Sequence, residues 1–190
     1  MTGLQSGDEG QQMEAVLELS DFLCMATEES MGGFQVDRFV PAIASLLHLE
    51  HNNEIMRTSG PSSSNVRSRL TLCVCVSPVL AARALAHLVE ALPAAAANIV
   101  RSEAVPTLCD KLMVTEFIDL KEQIILTLEK LSWEHPTALL RAGAVSAIFL
   151  FLDFFDIGVQ RTAMSTIANI CRQVPSDQMQ LFTDVLGHSS

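Results

Sequence analysis

The sequence predicts an all-α right-handed superhelix, an α-solenoid of about three to four stacked helical repeats. Four observations carry this. The composition of the 190 residues is 49% hydrophobic but only 5% aromatic, with no Tyr, so the apolar mass is the Leu, Ala, Val and Ile of closely packed helices. A mean hydropathy of +0.32 excludes a disordered chain. Three segments also end alike: Ala84-Leu-Ala-His-Leu88 before Pro93, Thr127-Leu-Glu-Lys-Leu131 before Pro136, and Thr166-Ile-Ala-Asn-Ile170 before Pro175. Finally, a second, shorter apolar pattern precedes each of them at a similar spacing, as an internal repeat requires.

The elements follow in order. A long amphipathic helix over residues 9–25 is predicted to turn Ala15, Val16, Leu19 and Phe22 inward. A shorter helix covers 39–47, and its sequence Phe39-Val-Pro-Ala-Ile aligns without a gap on Ala104-Val-Pro-Thr-Leu and Ala144-Val-Ser-Ala-Ile. Proline third in the first two suits a first helical turn, where its missing N–H costs nothing. The long helices that follow bury Ala81, Leu85 and Leu88, then Ile124, Leu128 and Leu131, then Ala163, Ile167 and Ile170. Each stops at or before its proline. Short turns of helix at 96–100 and 137–140 precede the second-helix copies at 104 and 144, and Gly143 supplies a residue able to take positive φ at a sharp corner. A further helix is expected over 177–186.

The spacing isolates one foreign segment. Val105 to Leu131 spans 26 residues and Val145 to Ile170 spans 25, but Val40 to Leu88 spans 48. The excess falls at 57–79, which holds Arg57, Arg67 and Arg69 and no acid. Excising it joins Asn53-Glu-Ile-Met56 to Leu80-Ala-Ala-Arg83 and restores a normal repeat. The segment is expected to be irregular, either a surface loop or the read-through of an unspliced in-frame intron, with no core depending on it. Its abrupt composition favours the second reading. The repeat domain is therefore predicted over 1–56 and 80–190.

A period of about 40 residues with paired helices points to HEAT or armadillo repeats. The extra short helix in each unit makes three and favours armadillo. No single unit covers its own apolar face, so stability must come from stacking. The long third helix of each armadillo unit lines a concave groove, and the register places Glu18, His87, Lys130 and Asn169 at its equivalent polar positions. Four residues earlier stand Glu14, Arg83, Leu126 and Ser165, so the Trp/Asn ladder of nuclear-import armadillo proteins is missing.

Charge and chemistry narrow the function. A net charge of −10 argues against nucleic acid. The polar, acidic first residues do not read as a signal peptide, and the apolar runs at 70–82 and 142–152 are too short to span a membrane. The five cysteines form no paired framework, and Cys109 and Cys171, set among core aliphatics, are expected to be buried, inert thiols. Cys73-Val-Cys75 lacks a second ligand pair, and the five His show no metal-binding spacing. No catalytic residue, metal site or cofactor is predicted. Trp133 and the phenylalanines at 149, 151, 154 and 155 form an apolar cluster expected in part to seal against a further unit. Self-association through that exposed solenoid end is the consequence.

The motifs Gly7-Asp-Glu-Gly-Gln11, Thr27-Glu-Glu-Ser30, Phe39-Val-Pro41, Leu80-Ala-Ala-Arg-Ala-Leu85, Glu134-His-Pro-Thr137, Arg141-Ala-Gly-Ala144, Leu152-Asp-Phe-Phe155 and Gly158-Val-Gln-Arg161 follow one another in order. The series resembles the N-terminal armadillo region of HECT-type E3 ubiquitin ligases of the plant UPL and ubiquitin-fusion-degradation class, over about 3–56 and 80–187. The resemblance implies a substrate-recruiting scaffold in protein ubiquitination and proteasomal degradation, in the cytoplasm or nucleus. It implies protein substrates and ubiquitin as partners of the groove lined by Glu18, His87, Lys130 and Asn169. The catalytic cysteine of such ligases belongs to a C-terminal HECT domain, which this chain does not contain, so no enzyme activity is expected within it. The alternative is a free-standing armadillo adaptor of the catenin or importin kind.

Overall fold

The computed structural model describes residues 9–27, 29–31, 33–47 and 66–173. Among them all regular structure is helical: α1 (Glu9–Cys24), α2 (Val36–Leu47), α3 (Val66–Ala91), α4 (Ala95–Arg101), α5 (Ala104–Val114), α6 (Ile118–Glu134), α7 (Pro136–Arg141), α8 (Ala144–Phe151) and α9 (Ile157–Gln173), with a 3₁₀ turn at Leu152–Phe154. The long helices pack in a row, α1 on α3, α3 on α6 and α6 on α9. A second row is formed by α2, α5 and α8, and the short helices α4 and α7 join one unit to the next. A single apolar core runs the length of the described chain, from Leu19 through Leu85 and Leu128 to Ile170.

Local chemistry sets the corners. In two successive units the chain turns from short to second helix through a residue in the left-handed region, Glu103 at φ 57° and Gly143 at φ 76°. The hydrogen bonds repeat position by position. Ser102 N–H donates to the Asn98 carbonyl and Ala142 N–H to Ala138, each at 3.0 Å. Glu103 N–H reaches Val100 and Gly143 N–H reaches Leu140 in the same way. Only Gly143 adopts this conformation without a steric cost, and Glu103 is held there against its preference by the same turn. At the start of α9 the Asp156 carboxylate accepts from the Val159 N–H at 2.9 Å, capping the helix. Pro136 opens α7 at its first position.

Several expectations are corrected. Helix α2 begins at Val36, three residues before the predicted start, so Pro41 lies inside it. Pro41 is on the exposed side of the helix, and its missing N–H withholds the backbone bond to the Asp37 carbonyl. In α1 the buried stripe runs Leu19 to Leu23 at i, i+4, and Phe22 is 46% exposed. The reason is that α1 has one main neighbour, α3, so its buried face is narrow. Ala15 does pack against the core, while the inward role of Val16 and the helix at 177–186 fall outside the described residues.

The segment at 57–79 is not irregular throughout. Residues 66–79 are helical and continuous with 80–91 in α3, Pro78 is buried, and Val79 packs against the core. Residues 66–77 contain neither Gly nor Pro, and extending an existing helix costs far less than starting one. The helix at 80–91 nevertheless continues N-terminally across Pro78, which lies inside α3 and withholds the backbone bond to the carbonyl of residue 74. Residues 57–65 lie outside the described part.

Candidate protein-binding groove

The exposed side of the long-helix row carries the aligned polar positions. His87 on α3 and Lys130 on α6 meet at one acid: His87 Nδ1 lies 3.9 Å and Lys130 Nζ 3.8 Å from the Glu90 carboxylate. One helical turn before His87, Arg83 Nε donates to Gln123 Oε1 at 3.4 Å, again across the α3–α6 seam. These partly exposed pairs contribute little stability, of order 0–1 kcal/mol each. They do hold long side chains in place on an accessible surface. Glu18 is exposed on α1, apart from this seam.

Asn169 is placed differently. Its side chain is 2% exposed, and its Nδ2 donates to Ser132 Oγ at 2.9 Å. Ser132 in turn donates to the Glu129 carbonyl at 2.6 Å. Asn169 thus joins α9 to α6 beneath the surface on which His87 and Lys130 stand. A similar tie joins α6 to α3, where Thr127 Oγ1 sits 2.7 Å from the Gln123 carbonyl and 2.9 Å from the Ala82 carbonyl. The hydroxyl thereby bridges two helices while still bonding within its own.

Burial governs the remaining titratable groups. The Cys109 thiol is pushed up to about 12, first by burial and then by the neighbouring Asp110 carboxylate, which leaves it a protonated, inert thiol. Cys171, expected to be buried, is exposed, because no further helix of the described chain covers that side of α9. Lys121 is almost entirely buried, with Nζ 3.0 Å from the ring centroid of Phe151. Desolvation lowers its pKa below 10.5, while the ring face offers the cation a partner. Nothing in the spacing of Lys121 marked it as buried.

The aromatic cluster divides. Phe155 is buried, Phe151 packs against the core, and Phe149 and Phe154 are exposed. Trp133 is also exposed, its indole N–H donating to Glu129 Oε1 at 3.0 Å. Unit-by-unit comparison explains Phe149. Cys109 and Ile125 are buried, whereas their counterparts one repeat on, Phe149 and Met164, are exposed. Residues that the next unit covers in one repeat form an open end face in the following one. Away from the groove, an open cleft of about 450 Å³ lies between the start of α2 and the α3–α4 corner, with Phe34, Asp37, Arg38 and Asn98 among its walls. No motif or spacing in the sequence points to that cleft. Among the described residues no cluster of three or more His, Cys, Asp or Glu is arranged to hold a metal, and no helix is long and apolar enough to cross a membrane.

Comparison with known proteins adds the lineage. The fold is similar to that of computationally designed armadillo repeat proteins made for modular peptide recognition, with a TM-score of 0.70 over 97% of this chain and 68% of theirs at 17% identity. In sequence the chain is 43% identical over 178 residues to the E3 ubiquitin-protein ligase UPL3 of Arabidopsis thaliana, covering 93% of this chain and 8% of that ligase. It is 38% identical over 187 residues to the E3 ubiquitin-protein ligase TRIP12 of Danio rerio, covering 98% of this chain and again 8% of the relative. The chain thus spans less than a tenth of the length of these curated relatives. Residues 77–141 match the family of TRIP12-like E3 ubiquitin-protein ligase repeats, described as TPR repeats. The three-helix units and the structural neighbours are of armadillo type, whereas a TPR unit has two helices. Nearly the whole chain is thus similar to one stretch of UPL3- and TRIP12-type E3 ubiquitin-protein ligases, and its residues 77–141 match the repeat family of the latter.

Proposed function

We propose that this chain is the recruiting scaffold of a HECT-type E3 ubiquitin ligase, itself without ligase chemistry, that presents protein substrates and ubiquitin for conjugation and proteasomal degradation. The observation that carries the reading is the seam of Arg83, His87, Glu90 and Lys130 across α3 and α6. It sits on the long-helix row of a fold whose designed counterparts were made to recognise peptides. Glu18 extends the same row, and Asn169 supports its floor from below. The proposed setting is the cytoplasm or nucleus, where Cys24, Cys109 and Cys171 remain the free thiols they are here.

The test uses the 190-residue chain with ubiquitin as the probe in isothermal titration. The triple variant Glu18→Lys, His87→Glu, Lys130→Glu is expected to weaken binding by about tenfold or more, a change of roughly 1.4 kcal/mol. Undiminished binding by that variant would remove the groove from the proposal. Asn169 is left intact because its loss would act through the fold.

The end face formed by Phe149 and Met164 is proposed to drive self-association of the chain. Sedimentation velocity is expected to show dimers or larger species that Phe149→Glu with Met164→Glu converts to monomer. A wild-type chain that stays monomeric at high micromolar concentration contradicts this.

A further inference from the structure

Exposed apolar residues in this fold are of two kinds. Those like Phe149 are open only because no described unit follows, and their counterparts in the preceding unit are buried. Others are exposed in both units. Val114 at the end of α5 is 80% exposed and Phe154, at the same place after α8, is 72% exposed. Ile118 and Ile157, both in the first turn of their long helices, are exposed as well, and Met113 adds an exposed apolar side chain in the first of the two units. The unit holding Met113, Val114 and Ile118 already has neighbours on both sides, since α2 and α8 flank α5 while α3 and α9 flank α6. Stacking another repeat does not cover these positions.

The two corners are joined. Lys121, one turn after Ile118, places its ammonium on the ring of Phe151, whose centroid is 6.2 Å from that of Phe154. This contact withdraws a cation from the edge and leaves acids around the apolar residues. Glu116 and Asp156 are exposed in the two loops that lead into Ile118 and Ile157, and Asp119 and Asp153 are exposed beside them. Besides Lys121, the nearest cations along the chain are Lys111, about a turn back on α5, and Arg161, about a turn on along α9. The result is a stepped apolar edge with a negative border.

We propose that this edge is a docking ledge for a basic amphipathic helix of a partner protein. The spacing suits such an occupant. Stacked helices repeat at about 8–10 Å, and residues i and i+7 of a helix are about 10 Å apart along its axis. One apolar stripe therefore meets Val114 and Ile118 in one unit and Phe154 and Ile157 in the next. Lys and Arg flanking that stripe face Glu116, Asp119, Asp153 and Asp156. A second copy of this chain fits poorly, because its own ledge brings the same acids. The ledge lies at the turn between second and third helices and is separate from the groove.

The experiment uses the whole chain and a labelled amphipathic peptide of Leu and Lys, roughly 18 residues long, followed by fluorescence anisotropy. A matched Leu and Glu peptide is the counter-probe. The Leu/Lys peptide is expected to bind at least about tenfold more tightly than the Leu/Glu peptide. Val114→Ser with Phe154→Ser, both already solvent-exposed and so compatible with an unchanged circular dichroism spectrum, is expected to weaken it by about tenfold. Glu116→Gln with Asp156→Asn, which keeps a helix-capping residue at 156, is expected to weaken it severalfold. Met25→Ser, exposed just past the end of α1 and part of neither the ledge nor the groove, should leave it unchanged. Equal binding by the serine variant would reduce the effect to bulk acidity and overturn the ledge. So would self-association abolished by the serine variant, which would make a second copy the occupant.

Discussion

Replacing Leu128 by Ala is expected to lower the unfolding free energy of this chain by about 3 kcal/mol, within the 2–5 kcal/mol of buried Leu truncations. Leu128 is fully buried at the middle of α6, the helix that α3 packs on from one side and α9 from the other. The helix that carries it therefore serves two inter-unit interfaces at once. A stack of repeats holds together through such nearest-neighbour interfaces, so the cavity weakens the coupling along the solenoid as well as one unit. Urea denaturation followed by helical circular dichroism measures it. The matching control is Leu126→Ala, on the exposed side of the same helix, expected to change stability by less than about 0.5 kcal/mol. If the two variants cost the same, α6 is not the central tie that the packing describes.

The second large effect is electrostatic. Asn169→Asp is expected to cost about 2–3 kcal/mol at neutral pH, because the new carboxylate would sit at a 2% exposed position and lose the donor that now reaches Ser132 Oγ. Burial raises the pKa of such an acid in the folded state above its unfolded value of about 3.9. The folded variant then holds its proton more tightly, so its deficit is smallest in acid and grows as pH rises through the folded pKa. Thermal unfolding of both proteins across that range measures the difference. A deficit independent of pH would place residue 169 in contact with solvent and return it to the groove surface. Any loss of partner binding in this variant should track the loss of fold.

The helices were legible because their signals are local. Apolar residues at i, i+3 and i+4, with a proline past the end, marked the buried faces of α6 and α9 and where each helix stops. Ala104 and Ala144 were read as starts of α5 and α8 and are their first residues. The extra short helix was legible for the same reason. Misreadings arose where one residue's setting depends on a neighbouring helix. Phe22 and Leu23 are equally apolar, and only the single contact of α1 with α3 selects Leu23 for burial. The foreign composition of 66–79 suggested an irregular loop, yet a core-anchored helix downstream carries those residues with it.

The groove divides along the same line. Register alone put Glu18, His87, Lys130 and Asn169 on one set of positions, since equivalent places in a repeat need only counting. Counting cannot show that His87 and Lys130 share Glu90, that Asn169 is spent on Ser132, or that Lys121 lies beneath Phe151. Those depend on side chains from helices some 40 residues apart in sequence meeting across an interface. The sequence by itself determined the helical class, the three-helix unit, the repeat register and the resemblance to E3 ligases, because each is written in spacing along one chain. The tertiary structure decided which polar residues stay free to bind, which become internal ties, and which apolar residues remain exposed however many units stack. Burial is a property of neighbours, and neighbours are set only when the units pack.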